Sequence, residues 1–289
     1  MLHIRSAQTK LVHSSGSHGG SREPSTSTAE SVVPAIVCGE SVSAKLSLVT
    51  GPPRYEERAA PTAHGTIWCS TFAGDESVIV PDGCMDLLWT GDTLLVAGAD
   101  SYARVSAPGH GGCLIGLRFW PGVLPQLLRT KADHLVDSVI GLDSVIGLDA
   151  RRWERRLAAA EYPAVALVDL AASAVTDIVL DQRPVHVAAD LASGLPIAQV
   201  AERNGYSPRQ LQRLAAHWYG YGPKHLQRVL RLRKADRLLT AGHTRAGAAA
   251  AVGYSDASHL WRDEQALDRP QPDAANRSTG LPSGSVMTA

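Results

Sequence analysis

The chain has 289 residues, of which 44% are hydrophobic and 19% are charged, and its 28 basic side chains equal its 28 acidic ones. This length accommodates two domains, and this composition is typical of a globular protein, which excludes the fibrous and membrane-embedded classes. The four cysteines show no CxxC spacing, which excludes a disulfide-stabilised scaffold and predicts reduced thiols.

The charge is unevenly distributed along the chain. From Arg183 to Arg245 there are eleven Arg and Lys residues and three acids, a net charge of +8, so the remainder of the chain carries a net charge of −8. One basic segment of about sixty residues is the electrostatic footprint of a phosphate-binding module. The overall neutrality therefore does not argue against a nucleic-acid partner.

Residues 1–45 are rich in Ser, Thr, Gly and His. Such a segment buries too little apolar surface to offset its ordering entropy, and we expect a disordered tail. Nothing in it resembles a signal peptide. The most apolar run, 164–180, is interrupted by Asp169 and Asp177, so we expect no membrane-spanning helix and a cytoplasmic protein.

Residues 46–150 have the pattern of a β domain. Short apolar runs such as TIWCSTF, SVIVPDG, MDLLWTG and CLIGLRF are separated by Gly, Pro and Asp, with a repeat of about ten residues. This spacing predicts a small antiparallel β barrel or sandwich, cupin-like in outline. The hexapeptide DSVIGL occurs twice in tandem between Asp137 and Asp149 and is interpreted as a local duplication.

Residues 151–182 are predicted to be a helical linker, and residues 183–272 an all-α domain. Within it, 195–222 predicts two short helices with a tight turn: Asn204-Gly205 ends the first, and Ser207-Pro208 provides the N-cap and first turn of the second. A helix, a short break and a second helix with an outward row of Arg and Gln is the plan of a DNA-reading helix-turn-helix. An ordinary helical hairpin with a solvated face is the alternative.

The same pattern occurs a second time. A longer helix is predicted over Lys224–Thr240, followed by a short helix at 244–252, a Gly253-Tyr254-Ser255 turn and a helix at 256–267. This turn lies 48 residues after the Gly205-Tyr206-Ser207 turn. Each turn precedes a helix with a Leu-x-Arg element, Leu211-Gln-Arg213 in the first and Leu260-Trp-Arg262 in the second.

These elements together resemble the DNA-binding domain of the AraC/XylS family of bacterial transcription regulators, which joins two helix-turn-helix units by a long central helix. The resemblance covers about 184–272. Upstream, the runs VPDGCMDLLW and GLRFWPG look like the β-rich N-terminal domain of a subset of these regulators. The chain departs from the family pattern at Ala215 and Glu264, where a core Phe is usual, and from this we expect a loosely packed second unit. Residues 273–289 are expected to be a disordered tail.

The resemblance implies a sequence-specific transcription regulator without enzymatic activity or cofactor, whose two recognition helices enter successive major-groove segments of an operator in double-stranded DNA. Arg suits guanine and Gln suits adenine in that groove. The residues expected to read bases are Arg209, Gln210, Gln212, Arg213, Ser258, His259 and Arg262. The residues expected to hold phosphates are Ser207, Lys224, Arg228 and Arg231. Residues 46–150 would sense an unknown small-molecule effector or form a homodimer.

A metal- or thiol-based sensor module whose helical half has lost specific DNA binding is the alternative function. His110 and Cys113 have an HxxC spacing, but a zinc site requires three or four converging ligands, and none is predicted. Cys84 in the PDGC turn is a candidate reactive thiol, although a buried, inert cysteine is the commoner state. No GxSxG element is present, which argues against a serine hydrolase.

Overall fold

The computed structural model describes residues 55–72, 77–106 and 112–270. The two tails predicted at 1–45 and 273–289 lie outside this part of the chain. The described strands are β1 Tyr55–Ala60, β2 Gly65–Phe72, β3 Ser77–Ile79, β4 Met85–Trp89, β5 Leu94–Ala97, β6 Arg104–Ser106, β7 Gly112–Phe119 and β8 Val139–Gly141. Six of them form one antiparallel sheet in the order β1-β2-β7-β4-β5-β8, and β3 pairs with β6. The predicted antiparallel domain is confirmed.

Alternation along the strands gives the larger sheet two different faces. On β7, Leu117 and Phe119 are fully buried and belong to the main hydrophobic core. Trp68 and Leu88 point to the opposite face, where they form a smaller apolar cluster with Ala97. The main face is covered by helices, and the smaller cluster lies beside the buried charged groups described below.

The helices follow the sheet, as the sequence predicts. They are α1 Leu124–Leu127, α2 Asp143–Ile146, α3 Leu148–Ala158, α4 Pro163–Thr176, α5 Arg183–Ala192, α6 Ile197–Arg203, α7 Pro208–Tyr219, α8 Pro223–Thr240, α9 Arg245–Ala251 and α10 Ala257–Leu267. Two short 3-10 turns occur at Pro61–Ala63 and Ala132–His134. Among the described helices, none is long and apolar enough to cross a membrane.

The tandem hexapeptide DSVIGL adopts two different structures. Its first copy, 137–142, contains β8, which pairs with β5. Its second copy, 143–148, contains α2. Because the two sequences are identical, local propensity cannot distinguish them, and the edge of β5 determines which copy becomes a strand.

The two halves of the chain share one core. Buried residues from the sheet, from α4 and from α5–α7 form a single cluster that includes Phe119, Leu167, Leu191 and Leu211. Leu226 at the start of α8 also belongs to this cluster. From Val229 onward the chain has a separate core, formed by Val229, Leu232, Ala235, Ala249, Tyr254, Leu260 and Leu267. The first predicted helix-turn-helix is therefore continuous with the sheet domain, and the second depends on a smaller core of its own.

Candidate nucleic-acid interface

The first helix-turn-helix unit consists of α6 and α7. Val200 on α6 and Leu211 on α7 are fully buried against each other's helices and the main core. Gly205 lies between the helices at a φ of 73°, a left-handed conformation that glycine adopts without the steric cost of a side chain. The chain can therefore turn sharply from α6 into α7.

A capping box begins α7. The Ser207 hydroxyl oxygen accepts a hydrogen bond from the Gln210 backbone N–H at 3.3 Å, and the Gln210 side-chain oxygen accepts one from the Ser207 backbone N–H at 2.8 Å. The S-x-x-Q spacing is the sequence signal for this arrangement. Both side chains thus satisfy backbone groups of α7, and their expected contacts with DNA stay predictions.

The outer side of α7 carries an exposed row of polar residues. Arg209, Gln212, Arg213 and His217 are all exposed. Arg209, Arg213 and His217 are spaced four residues apart and lie on one stripe of the helix. Within the described ranges, neither Arg209 nor Arg213 has an ion pair or side-chain hydrogen bond. Two unneutralised guanidinium groups therefore project from α7.

The second unit consists of α9 and α10. Asp256 is the N-cap of α10, and its carboxylate accepts a hydrogen bond from the His259 backbone N–H at 2.7 Å. The His259 ring lies 3.2 Å from the Ser255 hydroxyl and packs edge-on against Tyr254, with ring centroids 5.0 Å apart. His259, which we expect to read a base, is thus held within the turn.

Beyond this turn, α10 presents its own outward residues. Ser258 and Arg262 are exposed, as expected for base readers. Trp261 lies between them and is 52% exposed. In the Leu-x-Arg element of α10, Trp261 occupies the middle position that Gln212 occupies in the element of α7. The sequence pattern alone does not place Trp261 at the interface.

A buried carboxylate joins α8 to α10. The Arg228 guanidinium lies 2.8 Å and the Arg231 guanidinium 3.1 Å from the two carboxylate oxygens of Asp263, and the Tyr254 hydroxyl donates a hydrogen bond to the same group at 3.1 Å. Burial alone would raise the pKa of Asp263, but hydrogen bonds from Arg228, Tyr254 and Arg231 lower it. Two of the three central-helix residues expected on phosphates are thus engaged inside the protein, and Lys224 is exposed.

The structure also shows how the two departures from the family pattern are accommodated. Ala215 is fully buried in the core of the first unit. Glu264 leaves only 14% of its side chain exposed and forms an ion pair with Arg245 on α9. The carboxylate at this inward position is therefore paired, which removes the main cost of burying it.

Two family models match parts of the chain. Residues 200–266 match the family model described as a helix-turn-helix domain, a range that extends from α6 through α10. The match shows that this part of the chain is a helix-turn-helix domain, which supports the resemblance to AraC/XylS regulators. Residues 65–141 match a second model, described as a domain of unknown function (DUF6597). A search of the curated proteins gives no match.

Among solved structures, the chain is similar to ToxT from Vibrio cholerae O395, with 10% identity and a TM-score of 0.35 over 73% of this chain and 92% of that one. It is also similar to the unsaturated fatty acid-bound wild-type ToxT from Vibrio cholerae strain SCE256. The identity there is 8% and the TM-score 0.34, over 73% of this chain and 90% of that one.

The sheet domain contains a buried charged cluster. Arg118 on β7 lies 3.0 Å from Asp82 and 3.6 Å from Asp86, and the Trp68 indole donates a hydrogen bond to Asp86 at 3.1 Å. Burial raises the pKa of Asp86 to about 6, and the nearby Arg118 charge opposes this shift. One guanidinium nitrogen of Arg118, Nη2, has no hydrogen-bond partner within the described residues.

Asp86→Asn is expected to remove a pH dependence of stability in the window from about pH 4 to about pH 6. Because the folded-state pKa of about 6 exceeds the ordinary value of about 3.9, the folded protein binds more protons there than the unfolded chain. The free energy of unfolding therefore falls as pH rises, by at most about 3 kcal/mol for this group. Urea unfolding at a series of pH values should show that the free energy of unfolding of the native protein, minus that of the variant, decreases as pH rises through this window.

Asp92→Asn provides a control of opposite sign. Asp92 is exposed, and a hydrogen bond from the Thr90 hydroxyl lowers its pKa. Its contribution to stability is therefore present above its unfolded pKa and lost as pH falls. A difference between native and Asp86→Asn protein that stays constant across the window would show that Asp86 is ionised throughout.

A loop and a turn of the sheet domain contact the central helix α8 and the end of α10. The Ser101 carbonyl oxygen lies 3.1 Å from His225 Nε2 on α8, and the Ala103 backbone N–H donates a hydrogen bond to the Leu267 carbonyl at 2.7 Å, at the end of α10. At the PDGC turn, a Cβ on Gly83 would lie 2.7 Å from the Leu226 side chain. The loop at 98–104 thus connects the sheet to the central helix and to the second unit.

The candidate groups for the alternative function are not brought together. Cys84 is only partly exposed, and desolvation raises the pKa of its thiol well above the ordinary value, which favours the protonated, unreactive form. His110 lies outside the described residues. Across 55–72, 77–106 and 112–270 there is no group of three or more His, Cys, Asp or Glu side chains that could hold a metal ion.

Proposed function

We propose that this DNA-binding regulator reads its operator mainly through α7, with α10 entering a second major-groove segment. The observation that carries this proposal is the pair of exposed guanidinium groups at Arg209 and Arg213, one helical turn apart on the helix after the Gly205 turn. Uncompensated Arg side chains on the outer side of a second helix are suited to bidentate contacts with guanine.

The other residues expected at the site are assigned different roles according to their exposure and their contacts. Gln212, Ser258 and Arg262 are exposed and are assigned to base contacts, and His259 to the edge of the second contact. Lys224 is exposed at the start of α8 and is assigned to a phosphate. Arg228 and Arg231 are assigned to holding α10 through Asp263, and Ser207 and Gln210 to starting α7.

We infer that the sheet domain senses a small ligand. The buried Arg118 cluster supports this role, because a guanidinium nitrogen without a hydrogen-bond partner in the described residues is a donor that a polar ligand can use. The contacts of Ser101 and Ala103 with α8 and α10 provide a path from that domain to the central helix and the second unit. A homodimer stays a prediction.

These proposed roles divide the chain into three segments. Residues 46–150 are assigned to the sensor, 151–182 to the helical connection and 183–272 to the DNA-binding domain. Within the connection, α4 packs on the sheet through Leu167 and Ala171. We also propose a cytoplasmic location, because the DNA of a bacterium lies in the cytoplasm.

Arg213→Ala is expected to weaken binding to the operator by about 1–3 kcal/mol more than it weakens binding to unrelated DNA. Genomic fragments retained by the native protein would first supply the operator, and footprinting would define it. Affinities of native and variant proteins would then be measured on that duplex and on a scrambled duplex at one salt concentration.

Arg155→Ala on α3 is the matched control. Arg155 is an exposed Arg of the sheet-domain side, and its removal should leave the ratio of the two affinities unchanged. An equal loss on both duplexes for Arg213→Ala would identify Arg213 as a phosphate contact. No loss on either duplex would remove α7 from the interface.

A further inference from the structure

Two cysteines lie side by side on the central strands of the sheet. Cys69 on β2 is paired in register with Ile115 on β7, and Cys113 is paired with Thr71, so the two cysteines are diagonal neighbours. Their Sγ atoms are 2.9 Å apart. Cys113 is exposed and Cys69 is partly exposed, so a small reagent can approach the pair.

The surroundings give the two sulfurs different roles. The hydrogen bond from the Cys69 thiol lowers the pKa of Cys113 to about 7, because it stabilises the thiolate, and raises the pKa of Cys69. A thiolate is the reactive form of cysteine. Cys113 is therefore the attacking sulfur, and Cys69 is the neutral thiol beside it. Cys84 is partly exposed like Cys69, and desolvation raises the pKa of its thiol.

We propose that Cys69 and Cys113 form a dithiol site that a hydroperoxide oxidises to a disulfide across β2 and β7. In the first step the Cys113 thiolate attacks the distal peroxide oxygen, the O–O bond breaks, and the alkoxide or hydroxide that leaves takes up a proton; Cys113 becomes a sulfenic acid. In the second step the Cys69 sulfur attacks the Cys113 sulfur, and the S–O bond breaks with release of water. Two thiols and one peroxide thus give a disulfide, one alcohol or water, and one water.

The geometry favours the second step over further oxidation of Cys113. A disulfide has an S–S separation of about 2.05 Å, so the two sulfurs need to approach by only about 0.9 Å. The attacking Cys69 thiol is already in contact with Cys113, whereas a second peroxide would have to arrive from solution. Closure is therefore expected before sulfinic acid forms.

The test uses the full chain with Cys38→Ser, which leaves the thiols of Cys69, Cys84 and Cys113. After treatment with hydrogen peroxide, two of the three thiols should be lost, and trypsin should release the peptide 59–104 linked to the peptide 105–118. Fragmentation of the linked peptides should place the bond at Cys69. A dithiol reductant should restore both thiols.

Two further variants separate the roles of the sulfurs. With Cys69→Ser, Cys113 should still react but remain a sulfenic acid, which dimedone traps. With Cys113→Ser, thiol loss should slow about tenfold, because the remaining thiols are largely protonated near neutral pH. Sulfinic acid at Cys113 of the parent protein without a link, or thiol loss in Cys113→Ser at the parental rate, would overturn the proposal. Neither outcome depends on DNA binding.

Discussion

Asp263→Ala is expected to unfold the second helix-turn-helix unit while the first unit and the sheet remain folded. The change leaves the guanidinium groups of Arg228 and Arg231 beside each other without the carboxylate that both contact. Arg228 and Arg231 keep 32% and 25% of their side chains exposed, so water compensates part of their charge and the loss is below that of a fully buried pair. Losing the charged hydrogen-bond acceptor is expected to cost about 1.5–3 kcal/mol. The core of this unit is small and separate from the main core, so it has little stability with which to absorb that loss.

Hydrogen exchange would measure this effect directly. Backbone amides of α9 and α10 should lose protection in the variant, whereas those of α6 and α7 should keep it. On operator DNA, footprinting should show the loss of one of two major-groove segments. Retention of both segments would mean that α10 docks on DNA without its contact to α8.

Glu264→Ala is the matched control, since it removes the neighbouring carboxylate on the same helix. Its partner Arg245 keeps 43% of its side chain exposed, and ion pairs with an exposed partner contribute about 0–1 kcal/mol. The control should therefore leave the protection of α9 and α10 nearly unchanged. Equal effects of the two substitutions would show that the network around Asp263 contributes no more than a surface pair.

The features that the sequence predicts well depend on neighbours along the chain. The turns at Gly205 and Gly253 both have a positive φ, and the helix after the first turn begins with the predicted side-chain cap at Ser207. After the second turn the cap is Asp256, one residue later than the Ser255 that the pattern predicts. Short apolar runs between turn residues likewise predict an antiparallel sheet. These signals act within a few residues, so one sequence is enough to reveal them.

The features that the sequence does not predict depend on residues far apart in the chain. Asp263 meets Arg228 and Arg231 across 35 and 32 positions, and Cys69 meets Cys113 across 44. Such pairs depend on strand register and helix packing, which a single sequence leaves open. The central-helix Arg residues could therefore be assigned to phosphates, although the structure turns them toward Asp263.

Gly220→Ala is expected to destabilise the protein by about 2–5 kcal/mol, and Gly205→Ala by only about 1–2 kcal/mol. Both glycines end a helix of the first unit at a positive φ, 86° and 73° respectively, so both substitutions carry the left-handed backbone cost. An added Cβ at Gly205 meets no atom within 4 Å, whereas at Gly220 it would lie 2.0 Å from a Val136 methyl and 3.2 Å from the Ala132 carbonyl oxygen. The excess is the cost of overpacking where α7 lies against the sheet domain.

Val136→Ala tests whether that excess belongs to the contact between the domains. In Gly220→Ala protein it removes the methyl that the new Cβ would strike, so the double variant should recover part of the loss, and urea unfolding of the four proteins gives the coupling energy. Gly205→Ala combined with Val136→Ala should show no coupling. Equal costs at the two glycines would mean that α7 is not held closely there. A strong coupling would place the fixed end of the DNA-reading helix on the sheet domain, so that any shift of 132–136 displaces Arg209 and Arg213 together.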